Sequence, residues 1–235
     1  MSGLKAQTHM RQLPTETIVT RPGTVKSKTL RVVCTTCNNE WMSQLEVEAK
    51  PFLIPMMQGK PLMLAAAALT KVRRWATLKL MIAEFHRPEH SVLTVEDRSA
   101  FREYQKVPAN MSIWLGKCCA EDWQARLVMQ SADLVLKRFA HLHDGRSIQT
   151  TAMGFGQILL HAVVRKPIAP DLDAGVTFHV GMFRLWPSTL SAAYWPPPGR
   201  ELSAKDAEYI ARRLQLELGK TQTEWRHPSQ SVSES

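Results

Sequence analysis

Cys34-Thr-Thr-Cys37 sets two thiols at the spacing that lets one tight turn offer both sulfurs to a single metal ion, and Asn38 follows directly. Zinc takes thiolates at about 2.3 Å in a tetrahedron, so one such pair supplies two of four ligands. A complete site calls for a second C-x2-C or a histidine pair. The sequence ahead of Cys34 holds neither. Two metal-free readings stay open, a redox dithiol and a coincidental spacing, although no clear βαβ pattern surrounds the pair as a redox site would want.

Other residues compete for a role. His86-Arg-Pro-Glu-His90 has the H-x3-H spacing that could complete a Cys2His2 site with Cys34 and Cys37, but Pro88 and the position at a helix end fit a solvated loop. Cys118-Cys119 follows a strand and suits burial or simple adjacency better than reactivity. His141-Leu-His143-Asp144 lies beside a turn and reads as surface polarity, while His161 and His179 fall on strands as core or edge residues. Lys26, Lys28 and Arg31 precede the cysteines and could meet phosphates, the alternative being a solvated basic edge.

The whole chain bears on these choices. Its 235 residues suffice for a sizeable core, and 30 Lys and Arg against 21 Asp and Glu give a net charge of +9. That excess favours polyanions, nucleic acid above all. It is concentrated early: residues 1 to 33 carry six basic side chains against Glu16 alone. The four cysteines fall in two close pairs that cannot staple a secreted fold in the usual way, which points to a reducing, cytoplasmic setting. The start lacks the apolar stretch of a signal peptide, and Lys71, Arg73, Arg74 and Lys79 interrupt the apolar run from Leu62 to Phe85, so no membrane span is expected.

The pattern predicts an α+β fold, with a partial ββα-metal or zinc-knuckle element, then helices, then a mainly antiparallel β-rich half closed by a C-terminal helix. Residues 1–28 read as a flexible basic arm. Residues 29–106 read as the knuckle and helical region, 107–218 as the β-rich region with its helix, and 219–235 as a disordered tail. A strand over 29–33 delivers Cys34; a helix then carries Trp41, Leu45, Ala49 and Phe52 inward until Pro51 and Pro55 end or kink it. A second helix spans roughly 62–85, and Thr94-Val-Glu-Asp97 opens a short one to about 105 with a capping box. Strands are expected at 111–115, 124–129, 134–138, 150–164 with an interruption at Gly154-Phe-Gly156, and 176–182, with a hairpin turn at Asp144-Gly145. Ser203 caps a last helix that buries Ala207, Ile210, Leu214 and Leu218 before Gly219.

The order of basic strand, C-x2-C-N and a Trp-containing helix, as RVVCTTCNNEWMSQLEVEAKPFL, resembles the second half of the motif of HNH endonucleases of the bacterial and phage zinc-knuckle type. A helix with Trp75 and Lys79, Trp114-Leu-Gly116 and Phe183-Arg-Leu-Trp186-Pro187 extend the likeness over residues 25 to 215. The resemblance implies metal-dependent hydrolysis of DNA phosphodiesters. Cys34 and Cys37 would be the second pair of a structural zinc, and Asn38 would help hold a catalytic Mg or Mn ion. It also implies a first cysteine pair and an Asp-His or Glu-His step upstream. Here His9 is the one histidine before Cys34, Thr8 precedes it, and Thr29 stands near the place of the middle Asn. The chain is therefore expected to be an N-terminally truncated HNH-like protein and a poor nuclease or none. The alternative is a non-catalytic, zinc-stabilised module of a phage or mobile element that binds nucleic acid or protein.

If the basic stretch meets DNA, replacing Lys26, Lys28 and Arg31 together by alanine is expected to flatten the slope of log affinity against log salt by about 2 to 3. Fluorescence anisotropy on duplex DNA at stepped salt measures this. An unchanged slope would mean that these charges touch no phosphate.

Overall fold

The protein is described from a computed structural model: residues 33–86, 88, 91–118, 123, 127–132, 147–167, 169 and 181–214 with side chains, and 7–8, 10–12, 20–21 and 215–221 by backbone alone. The described elements begin with three short strands, β1 (Gln7–Thr8), β2 (Met10–Gln12) and β3 (Thr20–Arg21). A continuous helical stretch follows as α1 (Thr35–Cys37), a π-helical segment (Asn38–Met42) and α2 (Ser43–Met57). Next come β4 (Leu62–Ala65), α3 (Ala66–Glu84) and α4 (Val95–Tyr104). The second half is β5 (Met111–Lys117), β6 (Leu127–Ala132), β7 (Ile148–Phe155), β8 (Ile158–Arg165), β9 (Met182–Trp186), β10 (Ala192–Trp195) and α5 (Ala204–Thr221).

The fold is α+β. A six-stranded sheet in the order β2-β6-β7-β8-β5-β9 is antiparallel throughout except for the parallel β2–β6 pair. Side chains alternate across it, so Ile113, Leu115, Leu160 and Ala162 meet Leu45, Leu53, Val72 and Trp75 of α2 and α3 on one face. The opposite face packs Ala152, Leu159 and Val163 against Ala207, Ile210, Ala211 and Leu214 of α5. Residues on both sides of position 106 thus share one core. Arg73 adds a polar tie from α3 to β9, its guanidinium 4.9 Å from the centre of the Trp186 ring and its Nε donating to the Leu185 carbonyl at 3.2 Å. Parts of the expected arm 1–28 are strands: β1 pairs with β3, and β2 lies beside β6.

Several boundaries differ from the sequence expectation, each for a tertiary reason. Proline does not end the first long helix, because α2 contains both Pro51 and Pro55 and runs on to Met57. A proline inside a helix costs about 3 kcal/mol; burial of Leu45, Leu53 and Met56, at about 1.5–3 kcal/mol each, offsets that cost. Residues 62–65 are not the start of the second helix but β4, extended by antiparallel pairing with β10, which buries Leu64 and Trp195 on its inner side. Residues 150–164 belong to two strands, β7 and β8, which fold back at Gly156-Gln157 rather than continuing as one. Gly156 has φ +56°, as the first loop position of a II′ hairpin turn requires. A Cβ there would lie 2.6 Å from the Met57 carbonyl oxygen, which already accepts from the Gln157 amide at 2.9 Å. The hairpin tip therefore grips the C-terminal end of α2. Of the strand expected over 124–129, residues 127–129 lie in β6 and 124–126 are outside the described residues; α5 passes through Gly219 to Thr221. Strands expected at 134–138 and over 176–180, and the turn at Asp144-Gly145, lie outside the described residues.

The expected capping box is present: the Asp97 amide donates to Thr94 Oγ1 and the Thr94 amide to the Asp97 carboxylate, both at 3.1 Å. What pins α4 in place is a buried ion pair. Glu84, 1 % exposed at the end of α3, accepts from the Arg98 guanidinium and from Ser91 Oγ at 2.7 Å. Arg98 also donates to the Leu93 carbonyl at 2.9 Å and the Thr94 carbonyl at 3.1 Å. Burial pushes the Glu84 carboxyl above its ordinary value and outweighs the opposing pull of Ser91 and Arg98. A raised carboxyl contributes most below the ordinary carboxylate range, and its contribution declines as pH rises through the raised value.

Arg98→Ala is expected to cost about 3 kcal/mol at neutral pH, because it strands a buried carboxylate. Part of that loss should return as acid protonates Glu84. Urea denaturation near neutrality and at mildly acidic pH checks it; an equal loss at both would contradict the assignment.

Candidate metal centre

Cys34 stands at the mouth of the helical stretch in extended backbone, φ −68° and ψ 156°, and serves as its N-cap. Its Sγ accepts the Cys37 amide at 3.3 Å while its carbonyl accepts the Asn38 amide at 3.0 Å. One turn thus wraps the second cysteine back onto the first. N–H groups directed at sulfur favour the anion, and the Cys34 thiol lies below its ordinary value chiefly through the Cys37 amide and then the Cys37 side chain, with the Arg102 charge a smaller influence. Deprotonation of Cys34 is eased by the same amide that folds Cys37 back toward it.

The surroundings hold the turn outward. Val33 to Thr36 are exposed, Cys37 is half-buried, and Asn38 to Glu40 are exposed again. Just beyond, Met42 is buried, and half-buried Trp41 packs edge-on against Phe101, ring centres 6.1 Å apart and planes at 70°. The wider π-helical turn accommodates this change from an exposed to a buried surface between Asn38 and Met42. Asn38 donates from Nδ2 to Asn39 Oδ1 at 3.4 Å and remains at the surface beside the thiols. Phe101 and Arg102 sit next to each other on α4, so the element fixed by Glu84 and Arg98 supplies both the aromatic wall behind the turn and the cation near Cys34.

Of the residues singled out by sequence, Cys34, Cys37 and Asn38 come together in this turn. Lys26, Lys28 and Arg31, and residues 29–32 of the strand expected before Cys34, lie outside the described residues; Val33 itself is in a bend. His9, His90, His141, His143, His179 and Cys119 also lie outside them. His161 is a core residue, 1 % exposed, with its ring 5.7 Å from that of Trp114. Cys118 is buried, its thiol pointing to the Ser203 carbonyl at 3.9 Å. Arg102 was not legible as a site residue, since nothing local in the sequence links it to the cysteines. The donor chemistry suits a zinc ion and fills half of its needs. Among the described residues no group of three or more His, Cys, Asp and Glu is placed to hold a metal. No described helix is long and apolar enough to cross a membrane.

No family model matches the chain, and neither does a curated protein or a solved structure.

The geometry orders the described thiols by reactivity. Cys34 is expected to be alkylated first at neutral pH, Cys37 more slowly, and Cys118 only on unfolding. Timed iodoacetamide labelling read by peptide mass spectrometry tests this, and modification of Cys118 ahead of Cys34 would refute it.

Proposed function

We propose that the chain is an HNH-endonuclease-like protein, in which Cys34 and Cys37 anchor a structural zinc and the basic excess engages DNA, with little or no phosphodiester hydrolysis of its own. The observation that supports it best is the exposed N-cap turn. The Cys34 thiol is lowered from its ordinary value by the Cys37 amide, that amide folds Cys37 back onto the first sulfur, and Asn38 follows into a helix whose half-buried Trp41 packs against the core. A zinc ion bound there supplies rigidity to the turn, and a Mg or Mn ion held near Asn38 would polarise a phosphate. The chain's own share is to hold two sulfurs at the surface, to place Arg102 beside them, and to carry the basic side chains that neutralise phosphates.

Purified protein is expected to retain zinc, to lose it in Cys34→Ser and Cys37→Ser, and to bind duplex DNA more weakly after chelation. Any plasmid cleavage in Mg or Mn should vanish in Asn38→Ala; cleavage that survives the change would belong to a contaminant. Protein that binds neither zinc nor DNA would overturn the proposal.

A further inference from the structure

Two thiols meet half of a tetrahedral zinc's demand, and the remaining pair has to come from somewhere. Cys118, the other described cysteine, is buried behind β5 at 6 % exposure and turned toward Ser203, away from any shared site. The cysteine turn, by contrast, is exposed from Val33 to Thr36 and from Asn38 to Glu40. Its side chains next to the sulfurs are short: Thr35, Thr36, Asn38 and Asn39. A tetrahedral shell at about 2.3 Å brings its sulfurs within about 4 Å of one another, so whatever supplies the second pair must approach the backbone of this turn closely. Short side chains permit that approach.

Charge points the same way. Four thiolates around one zinc ion leave two negative charges, and Arg102 is an exposed cation on the neighbouring α4, next to the Phe101 ring that packs on Trp41. Two copies of the turn would bring two such arginines, one from each side.

We propose that Cys34 and Cys37 from two copies of this chain bind one zinc ion between them, making a two-fold symmetric, zinc-bridged homodimer. This rests on the reading of the turn as a metal half-site and goes beyond it by naming what completes it. The basic surfaces of two chains would then meet DNA together, a bivalent arrangement that raises affinity without new contacts in either chain.

Light scattering and zinc analysis of the full chain, in reducing buffer before and after chelation, test it. The expected result is a dimer with about 0.5 zinc per chain, which becomes a monomer on chelation and is absent in Cys34→Ser and Cys37→Ser of unchanged circular dichroism. Arg102→Ala should raise the zinc concentration needed for dimerisation several-fold, and Arg102→Lys should restore most of it. A monomer with about one zinc per chain would overturn the shared site and leave the half-site reading standing. Absence of retained zinc would remove both, and a dimer that survives chelation and both serine variants would show that association does not run through the metal.

Discussion

A carboxylate buried at the end of α3 organises the helical half of this protein. Glu84 is withdrawn from water, and it is tolerated because Ser91 and Arg98 come to it. Arg98 belongs to α4, so satisfying Glu84 sets where α4 begins and how it lies against α3. The intervening loop is also tied to the sheet, the Val92 amide donating to Gln149 Oε1 at 3.2 Å and Gln149 donating to Thr151 Oγ1 at 3.3 Å. From that fixed origin, one further turn of α4 delivers Phe101 to Trp41 and Arg102 to the neighbourhood of Cys34. A polar requirement in the core thereby helps set the surroundings of a surface turn.

The helix that begins at the cysteines is held at its far end too. Its last carbonyl, that of Met57, takes the amide of the β7–β8 hairpin tip, and its inward side chains Leu45, Ala49, Leu53 and Met56 lie in the main core. Between these anchors the two prolines are carried by packing. Exposed Cys34 and half-buried Cys37 then stand at the start of a rigid rod, and a metal ligand pair so placed would gain because less ordering would remain to be done on binding an ion. A loop with the same two cysteines would lack that preparation.

Periodicity made much of this visible in advance. The inward positions Trp41, Leu45, Ala49 and Phe52, the capping box at Thr94 and Asp97, the strand at Met111 and the last helix with Ala207, Ile210 and Leu214 follow local rules, and the structure contains them. Departures occur where distant residues decide. β4 looks helical in isolation and is extended because β10 pairs with it; Gly156 looks like an interruption and is a turn because β7 and β8 pair antiparallel side by side in the same sheet. Local proline rules were outweighed by burial along α2. The thiol pair and Asn38 were readable from spacing alone, whereas Arg102 comes into the site's neighbourhood only through the tertiary placement of α4, which no window of sequence contains. The basic residues before Cys34 carry their meaning in charge rather than in pattern, and charge by itself does not place them.

Metal binding by Cys34 and Cys37 is the claim on which the functional account stands. X-ray absorption at the zinc edge of the purified protein reads the ion's immediate neighbours directly. The account predicts a shell containing sulfur at about 2.3 Å that disappears in Cys34→Ser. A shell made only of oxygen and nitrogen would contradict it.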